Sequence, residues 1–221
     1  MKFFCSLFIA FLLFNACSRP VKQKAVEAKL DPKTLISCGG VGDVKLHYSY
    51  EDLENKFGKE ALSEHENSRR GKYVTLWENK PEQLNLYWKE QVAPFKSIAY
   101  IEIVGEGAPY TTESGFKVGI SIRELVKMNS GMAVTFNNFT SEDENGLITS
   151  FNNGGVLKDS PCVTGVLEIV GQRNIHVDEM DEFNKQEVVQ SYDRLLERID
   201  VSLASIRVYP QDQQLSSKKS D

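Results

Sequence analysis

The chain has 221 residues, of which 41% are hydrophobic and 26% are charged, as is ordinary for a globular protein. Its formal net charge of −5 excludes the strongly basic surface that nucleic-acid-binding proteins use, so we expect no nucleic-acid partner. The length suffices for one domain or for two small ones.

The N-terminus has the pattern of a signal peptide. Lys2 is followed by a mostly apolar stretch, residues 3–14, which is shorter than the roughly 20 apolar residues that a bilayer span needs. The junction Phe-Asn-Ala-Cys, ending at Cys17, resembles a relaxed bacterial lipobox of the Bacteroidota type. We therefore predict that residues 1–16 are a signal peptide and that Cys17 is the lipidation site. A secreted protein with an incidental cysteine is the alternative.

The residues after the predicted lipidation site suggest where the protein lies. Residues 17–36 are mostly polar, with two prolines and several lysines, and are predicted to form a lipidated tether. One acyl chain alone binds a membrane only marginally, so stable anchoring needs more than one. Ser-Arg-Pro follows the cysteine, without aspartate and without an acidic cluster. By resemblance to lipoprotein sorting rules, we expect a palmitate-bearing protein in the outer membrane that faces the periplasm.

The cysteine count predicts one disulfide. Cys5 belongs to the predicted signal peptide and Cys17 takes the lipid, which leaves Cys38 and Cys162 as an even pair in an oxidising compartment. A bridge closing ~100 residues stabilises a fold by up to about 4.7 kcal/mol in the chain-entropy model. Two buried free thiols are the alternative. The absence of a Cys-x-x-Cys motif argues against zinc or redox chemistry.

Two stretches, residues 44–58 and 116–130, match each other without gaps. Each begins with an alternating strand pattern and continues into Ser-x-x-Asp or Ser-x-x-Glu, the capping box that starts a helix. The predicted helix caps are Ser49 with Asp52 and Ser121 with Glu124. Chance similarity of two α+β segments is the alternative to a duplication.

Three antiparallel strands are predicted after each capped helix. The predicted strands are 73–78, 84–89 and 97–105 in the first copy and 132–139, 146–151 and 163–171 in the second. Both third strands contain Glu-Ile-Val-Gly, which favours duplication. The predicted fold class is α+β, with two tandem units, 37–108 and 109–172, of strand, short helix and three antiparallel strands.

Trp77, Tyr87 and Trp88 are the candidate binding surface of the first unit. Aromatic side chains contribute disproportionately to interfaces, but they also fill cores, which is the alternative for all three. Adjacent residues of a strand point to opposite faces. One of Tyr87 and Trp88 should therefore be buried, while the other could be exposed.

The C-terminal segment, residues 173–210, is predicted to hold a helix and a strand. Residues 178–199 combine high helix propensity with an interrupted apolar stripe, best supported between 187 and 198. Residues 201–210 have the pattern of a final strand. Residues 211–221 lack apolar anchors and are predicted to be a disordered tail.

No motif indicates a catalytic, metal or cofactor site. His47, His65 and His176 are expected on a strand, in a polar loop and beside an acidic segment, without metal-ligand spacing. Residues 141–146, Ser-Glu-Asp-Glu-Asn-Gly, lack the acid order of an EF-hand and are expected to form a solvated hairpin loop. The glycine-rich residues 38–43 precede a strand, unlike a dinucleotide loop, and are expected to give the backbone room near the cysteine.

The segments 40–53 and 111–125 resemble a duplicated pattern in uncharacterised bacterial envelope lipoproteins. More distantly, the helix-then-sheet units resemble β-lactamase-inhibitor protein and the small lipoprotein of outer-membrane barrel assembly. These resemblances supply no catalytic motif. They imply a non-catalytic module, without cofactor, that binds or scaffolds a protein or another envelope component. An envelope hydrolase or carbohydrate-processing accessory with an unrecognised site is the alternative.

Overall fold

A computed structural model describes residues 30–142 and 144–211. The predicted signal peptide, the lipidation site Cys17, most of the tether and nearly all of the C-terminal tail lie outside the described residues. The described part has the predicted α+β class, with short helices and antiparallel sheets. None of its helices is long and apolar enough to cross a membrane.

The described residues form short helices and strands of two to ten residues. The helices are α1 (Tyr50–Phe57), α2 (Ile122–Met128), α3 (Gly155–Asp159) and α4 (Val177–Asn184). The strands are β1 (Ile36–Ser37), β2 (Gly40–Val41), β3 (Val44–Lys45), β4 (Leu62–Asn67), β5 (Gly71–Leu76), β6 (Leu84–Trp88), β7 (Ile98–Val104), β8 (Thr135–Asn137), β9 (Ile148–Ser150), β10 (Val163–Gln172), β11 (Val188–Gln190) and β12 (Ile199–Val208).

A six-stranded antiparallel sheet organises the fold, with the strand order β10-β12-β7-β6-β5-β4. A second sheet has the order β11-β8-β9 and meets the central sheet where Leu147 bridges Val166 of β10. A small sheet of β1, β2 and β3 precedes both. The C-terminal strand β12 therefore lies between β7 and β10, which are the last strands of the two predicted units.

Alternating side chains give the central sheet an aliphatic face. Its members are each at most 1% exposed: Val74, Leu76, Leu84, Leu86, Ile101, Ile103, Ile206 and Val208. The strand register places them opposite one another across β5, β6, β7 and β12. Full burial of one such side chain stabilises a fold by roughly 1.5–3 kcal/mol, so this face is the centre of the core.

Both predicted capping boxes are present. Ser49 Oγ accepts the Asp52 backbone N–H at 3.2 Å, while Asp52 Oδ2 accepts the Ser49 N–H at 2.9 Å. At α2, Ser121 Oγ accepts the Glu124 N–H at 3.2 Å and Glu124 Oε2 accepts the Ser121 N–H at 3.0 Å. These hydrogen bonds lower the pKa of both carboxyl groups. Each box satisfies N–H groups that the first helical turn leaves free.

The first strand of each predicted unit is wrong in extent. In the first unit only Val44 and Lys45 pair, as β3, because the chain turns at once with a Tyr48 N–H to Lys45 O bond of 3.1 Å. In the second unit, residues 116–120 are irregular, since Gly119 has a φ of +85°. They still lie beside β12, where Gly119 N–H donates to Leu203 O at 2.8 Å.

The strand patterns miss β4, and the expectation of a polar loop around His65 is wrong. Residues 62–67 pair along their whole length with β5. β4 forms one edge of the central sheet, where charged side chains are tolerated and discourage pairing with other chains. Its charged residues give β4 the composition of a loop, which is why the strand patterns miss it.

The predicted C-terminal helix is wrong for most of its best supported part, residues 187–198, where only Arg194–Glu197 form a short 3-10 helix. The helix α4 ends at Asn184, and β11 follows. Val189 of β11 is 0% exposed and pairs with Phe136 of β8. Burial of this β-branched residue against a partner strand outweighs the local helix propensity. The predicted final strand is confirmed as β12.

The predicted disulfide is confirmed. Cys38 and Cys162 are bonded, with their Cα atoms 5.4 Å apart and a separation of 124 in the chain. Gly40, in the glycine-rich segment, has a φ of +145°, and a β-carbon there would lie 2.1 Å from Val44 O. The bridge ties the small N-terminal sheet to the start of β10.

Candidate functional site

A row of five aromatic rings crosses the central sheet on the face opposite the aliphatic core, and we call it the tyrosine ladder. Its members are His65, Tyr73, Tyr87, Tyr100 and Tyr209. The register places the first four directly opposite their neighbours on β4, β5, β6 and β7. Successive ring centroids are 5.1, 4.8, 4.6 and 5.3 Å apart, close to the spacing of neighbouring strands, so the rings stack.

The ladder is partly open to solvent. Tyr87, in the middle, is 5% exposed because the guanidinium group of Arg70 lies over its ring, 5.8 Å from the centroid. The other four rings are half-buried. Burial, with the nearby Glu102 carboxylate, raises the pKa of Tyr87 to about 12, and burial raises the pKa of Tyr100 further. Both hydroxyls therefore stay protonated at neutral pH.

A polar row runs beside the ladder, two residues further along the strands. Its members are Thr75, Asn85, Glu102, Arg207 and Thr164, each opposite the next across neighbouring strands. Thr75 Oγ1 donates to Asn85 Oδ1 at 3.0 Å. Glu102 is 5% exposed and Arg207 is 1% exposed. An ion pair is thus buried in the middle of this sheet face.

Four charged side chains form what we call the arginine–glutamate cluster. Glu102 Oε1 accepts from Arg207 Nε at 3.1 Å and from Arg70 Nη1 at 3.2 Å. Arg207 Nη1 donates to Glu144 Oε1 at 2.7 Å. Burial by itself lowers the pKa of Arg207, but Glu102 together with Tyr209, Glu144 and Tyr100 more than offsets this and raises that pKa above its usual value.

One nitrogen of the cluster has no partner. Arg207 Nη2 is buried and makes no hydrogen bond of acceptable geometry within the described residues. The guanidinium carbon lies 5.2 Å from the centroid of the Tyr100 ring, so the cation faces the ladder. A buried donor without an acceptor costs about 1–3 kcal/mol.

Two loops meet over this part of the sheet. Arg69, in the turn between β4 and β5, donates from Nη1 to the backbone oxygen of Glu142 at 2.6 Å. Glu144 belongs to the same loop, which joins β8 to β9 where the sequence predicts a polar hairpin loop. The cluster is therefore covered by the chain's own loop.

The three aromatic residues of the predicted binding surface do not come together. Trp77, directly after β5, packs against Phe57 of α1 with ring centroids 5.3 Å apart. Tyr87 belongs to the ladder. Trp88 is 4% exposed and stacks on Phe95 at 5.6 Å. The adjacent residues Tyr87 and Trp88 are thus both buried, the first beneath Arg70 and the second against Phe95.

A separate groove of about 690 Å³ lies between the start of α1 and the β6–β7 loop. Tyr50 on its wall donates to Glu64 Oε1 at 3.0 Å, and burial together with this carboxylate raises the pKa of Tyr50 to about 12. Lys72 and Lys96 line the same groove. Acidic side chains also line the groove, so its charge favours neither anionic nor cationic ligands.

Sequence patterns alone miss most of the ladder and the cluster. Tyr73, Tyr100 and Tyr209 are each an ordinary strand aromatic until the register is known. Tyrosines at matching positions of consecutive strands are the signal that could have revealed the row. The Glu102–Arg207 pair joins positions far apart in the chain, so local spacing carries no trace of it.

The described residues show no ready metal centre, since no three or more His, Cys, Asp and Glu side chains among them are grouped to hold an ion. No protein-family model, curated protein or solved structure matches this chain. The geometry of the sheet face is therefore the basis for a functional argument.

Proposed function

We propose that the protein is a non-catalytic binding module of the bacterial cell envelope. In this proposal Cys17 anchors it to the outer membrane, facing the periplasm, and the tyrosine ladder with the arginine–glutamate cluster recognises a protein or another envelope component. The observation that carries the proposal is the five-ring ladder. Together with Arg70 and Arg207, which lie against two of its rings, it places aromatic and cationic side chains on one sheet face.

The composition of this face supports recognition. Tyrosine and arginine are enriched among the residues that contribute most to protein–protein binding. Here they adjoin one another on paired strands, so little conformational freedom remains to be lost on binding. The tyrosine hydroxyls of the ladder supply hydrogen-bonding groups beside apolar ring surface. A partner would therefore meet a pre-ordered amphipathic strip.

The carboxylates of the face support binding over glycosidic hydrolysis. A glycoside hydrolase needs two carboxyl groups free to flank the scissile bond, one of them protonated. Glu102 accepts from two arginines and Glu144 accepts from one. Both carboxyl groups are thus occupied by arginines and are not free to flank a scissile bond.

Site-specific photo-crosslinking tests the proposal. A benzophenone amino acid replaces Tyr73 in the ladder in one variant, and Tyr192, which is 73% exposed and outside the ladder, in the matched control. We expect irradiation of cells to give one reproducible adduct from position 73 and none from position 192.

The outcomes separate the candidate functions. An adduct that mass spectrometry identifies as one envelope protein or glycan supports the binding module. Identical adduct patterns from both positions would show that the ladder is not a specific surface. Release of cleaved glycan or peptide by the purified chain would favour the envelope hydrolase instead.

A further inference from the structure

We infer that the arginine–glutamate cluster is a binding site for an acidic peptide segment, and that the chain's own β8–β9 loop occupies this site, with Glu144 in the place of the ligand's carboxylate. The inference rests on the proposed binding function and deepens it by naming the chemistry of the partner.

Arg207 is built as the fixed part of such a site. Its side chain is 1% exposed, its Nε is held by Glu102 at 3.1 Å, and its Nη1 contacts Glu144. Nη2 has no hydrogen-bond partner in the described residues. A carboxylate that met both terminal nitrogens would make the paired geometry that arginine favours. Glu144 uses only one of them.

Glu144 is the residue whose carboxylate a ligand would replace. Its side chain is 40% exposed, against 1% for Arg207, and its backbone has a φ of +53°, a left-handed conformation that a β-carbon disfavours. A ligand carboxylate could therefore replace Glu144 without disturbing the sheet. Arg207 would stay paired with Glu102 throughout.

The present occupant indicates a peptide. The backbone oxygen of Glu142 accepts from Arg69 at 2.6 Å, and two residues later the carboxylate of Glu144 accepts from Arg207 at 2.7 Å. An acidic stretch of a partner protein offers the same pair of acceptors, a main-chain carbonyl and a glutamate. An acidic glycan has the carboxylate but lacks the regularly spaced amide carbonyls.

The charge of the site also favours an anion. Arg70 and Arg207 contact the Glu102 carboxylate, Arg207 also contacts the Glu144 carboxylate, and Arg69 contacts the backbone oxygen of Glu142. Among the described contacts, loss of Glu144 leaves Glu102 as the carboxylate that pairs with Arg70 and Arg207. Attraction for an incoming carboxylate is strong there because Arg207 is shielded from water.

Fluorescence anisotropy tests the inference with the full chain in mild detergent. The probe is a labelled peptide, Thr-Ser-Glu-Asp-Glu-Asn-Gly, which copies residues 140–146. We expect Glu144→Ala to bind it at least tenfold more tightly than the native chain, because the internal competitor is removed. Adding Arg70→Gln to Glu144→Ala should weaken binding at least fivefold. A probe with glutamine in place of its acids should not bind.

Glu142→Ala is the matched control, since it removes one negative charge from the same loop while the Glu142 carbonyl, not its carboxylate, holds Arg69. Equal affinities of the Glu142→Ala and Glu144→Ala chains would overturn the inference, because loop charge alone would explain both. If Glu144→Ala lowers the melting temperature, the isosteric Glu144→Gln replaces it, with the same expected gain.

A hexagalacturonate probe forms the second arm. Binding of this glycan to the Glu144→Ala chain, with no binding of the peptide, would assign the site to an acidic glycan and overturn the inference. These results are separable from the photo-crosslinking result. A specific adduct at position 73 without peptide binding would leave the ladder as a recognition surface and refute only the acidic-peptide site.

Discussion

Arg207 and Glu102 face each other across the β12–β7 pair, with Arg207 Nε 3.1 Å from Glu102 Oε1. Arg207 is 1% exposed and Glu102 is 5% exposed. Positions separated by 105 residues in the chain thus share one buried charge pair. A buried pair of this kind contributes little when intact, but loss of one partner leaves an uncompensated charge.

Glu102→Gln should therefore strongly destabilise the fold, by about 3–5 kcal/mol. Urea unfolding followed by circular dichroism measures the free energy of unfolding. Asp200→Asn is the matched control, since Asp200 pairs with Arg173 at 2.8 Å on the exposed surface, where a pair contributes at most about 1 kcal/mol. Similar losses in both variants would contradict the buried-pair interpretation.

The disulfide between Cys38 and Cys162 should stabilise the oxidised protein. Reduction is expected to lower the free energy of unfolding by about 2–5 kcal/mol, because the unfolded chain gains freedom in a long loop. Melting curves with and without dithiothreitol measure the effect, and Cys38→Ser should reproduce the reduced curve. Titratable thiols at Cys38 and Cys162 in the unfolded, unreduced chain would exclude the bridge.

Loss of either helix cap should have a smaller, local effect. Ser49→Ala and Ser121→Ala should each cost roughly 0.5–2 kcal/mol, since each leaves a first-turn N–H without its acceptor. Ser68→Ala, at an exposed position, is the control and should change stability by less than about 0.5 kcal/mol. Denaturant midpoints distinguish these cases, and unaffected midpoints in both cap variants would contradict the capping roles.

Glu179 should titrate at unusually low pH. Its hydrogen bonds with Arg198, at 2.6 and 3.0 Å, hold its pKa at about 2, against about 4.3 in an unfolded chain. Because the folded pKa is the lower one, this carboxylate stabilises the fold above about pH 4.3, and its contribution is lost as pH falls towards 2.

Two measurements check that behaviour. NMR titration should place the Glu179 midpoint near pH 2 in the native chain and move it towards the ordinary value in Arg198→Gln. Urea unfolding should show a stability difference between the native chain and Glu179→Gln that is constant at neutral pH and disappears in acid. A native midpoint at the ordinary glutamate value would contradict the prediction.

Replacement of Cys17 tests the predicted anchor. Cys17→Ser should abolish metabolic labelling with palmitate and leave the signal peptide unprocessed, because the lipid is attached through the cysteine sulfur. Cys5→Ser is the control and should label normally. Undiminished labelling of Cys17→Ser would refute the lipoprotein prediction.

Short-range features of this protein could be predicted from the sequence. Ser49 lies three residues before Asp52, so the capping box closes within one turn of chain and needs no distant partner. The aliphatic alternation of β5, β6 and β7 similarly identifies strands, because burial on one face imposes a period of two. The disulfide followed from cysteine arithmetic, since the predicted signal peptide and lipidation site account for the other two cysteines.

Long-range pairing was decided by the tertiary structure. Val188 and Val189 lie in a segment of high helix propensity, yet burial against β8 makes them a strand. The ladder exists only because the register aligns Tyr73 with Tyr87 and Tyr87 with Tyr100. The Arg207–Glu102 pair exists only because β12 inserts between β7 and β10. Local sequence determines which residues can form a helix or a strand, whereas strand order and register depend on the burial energy of the whole core, which no short stretch contains.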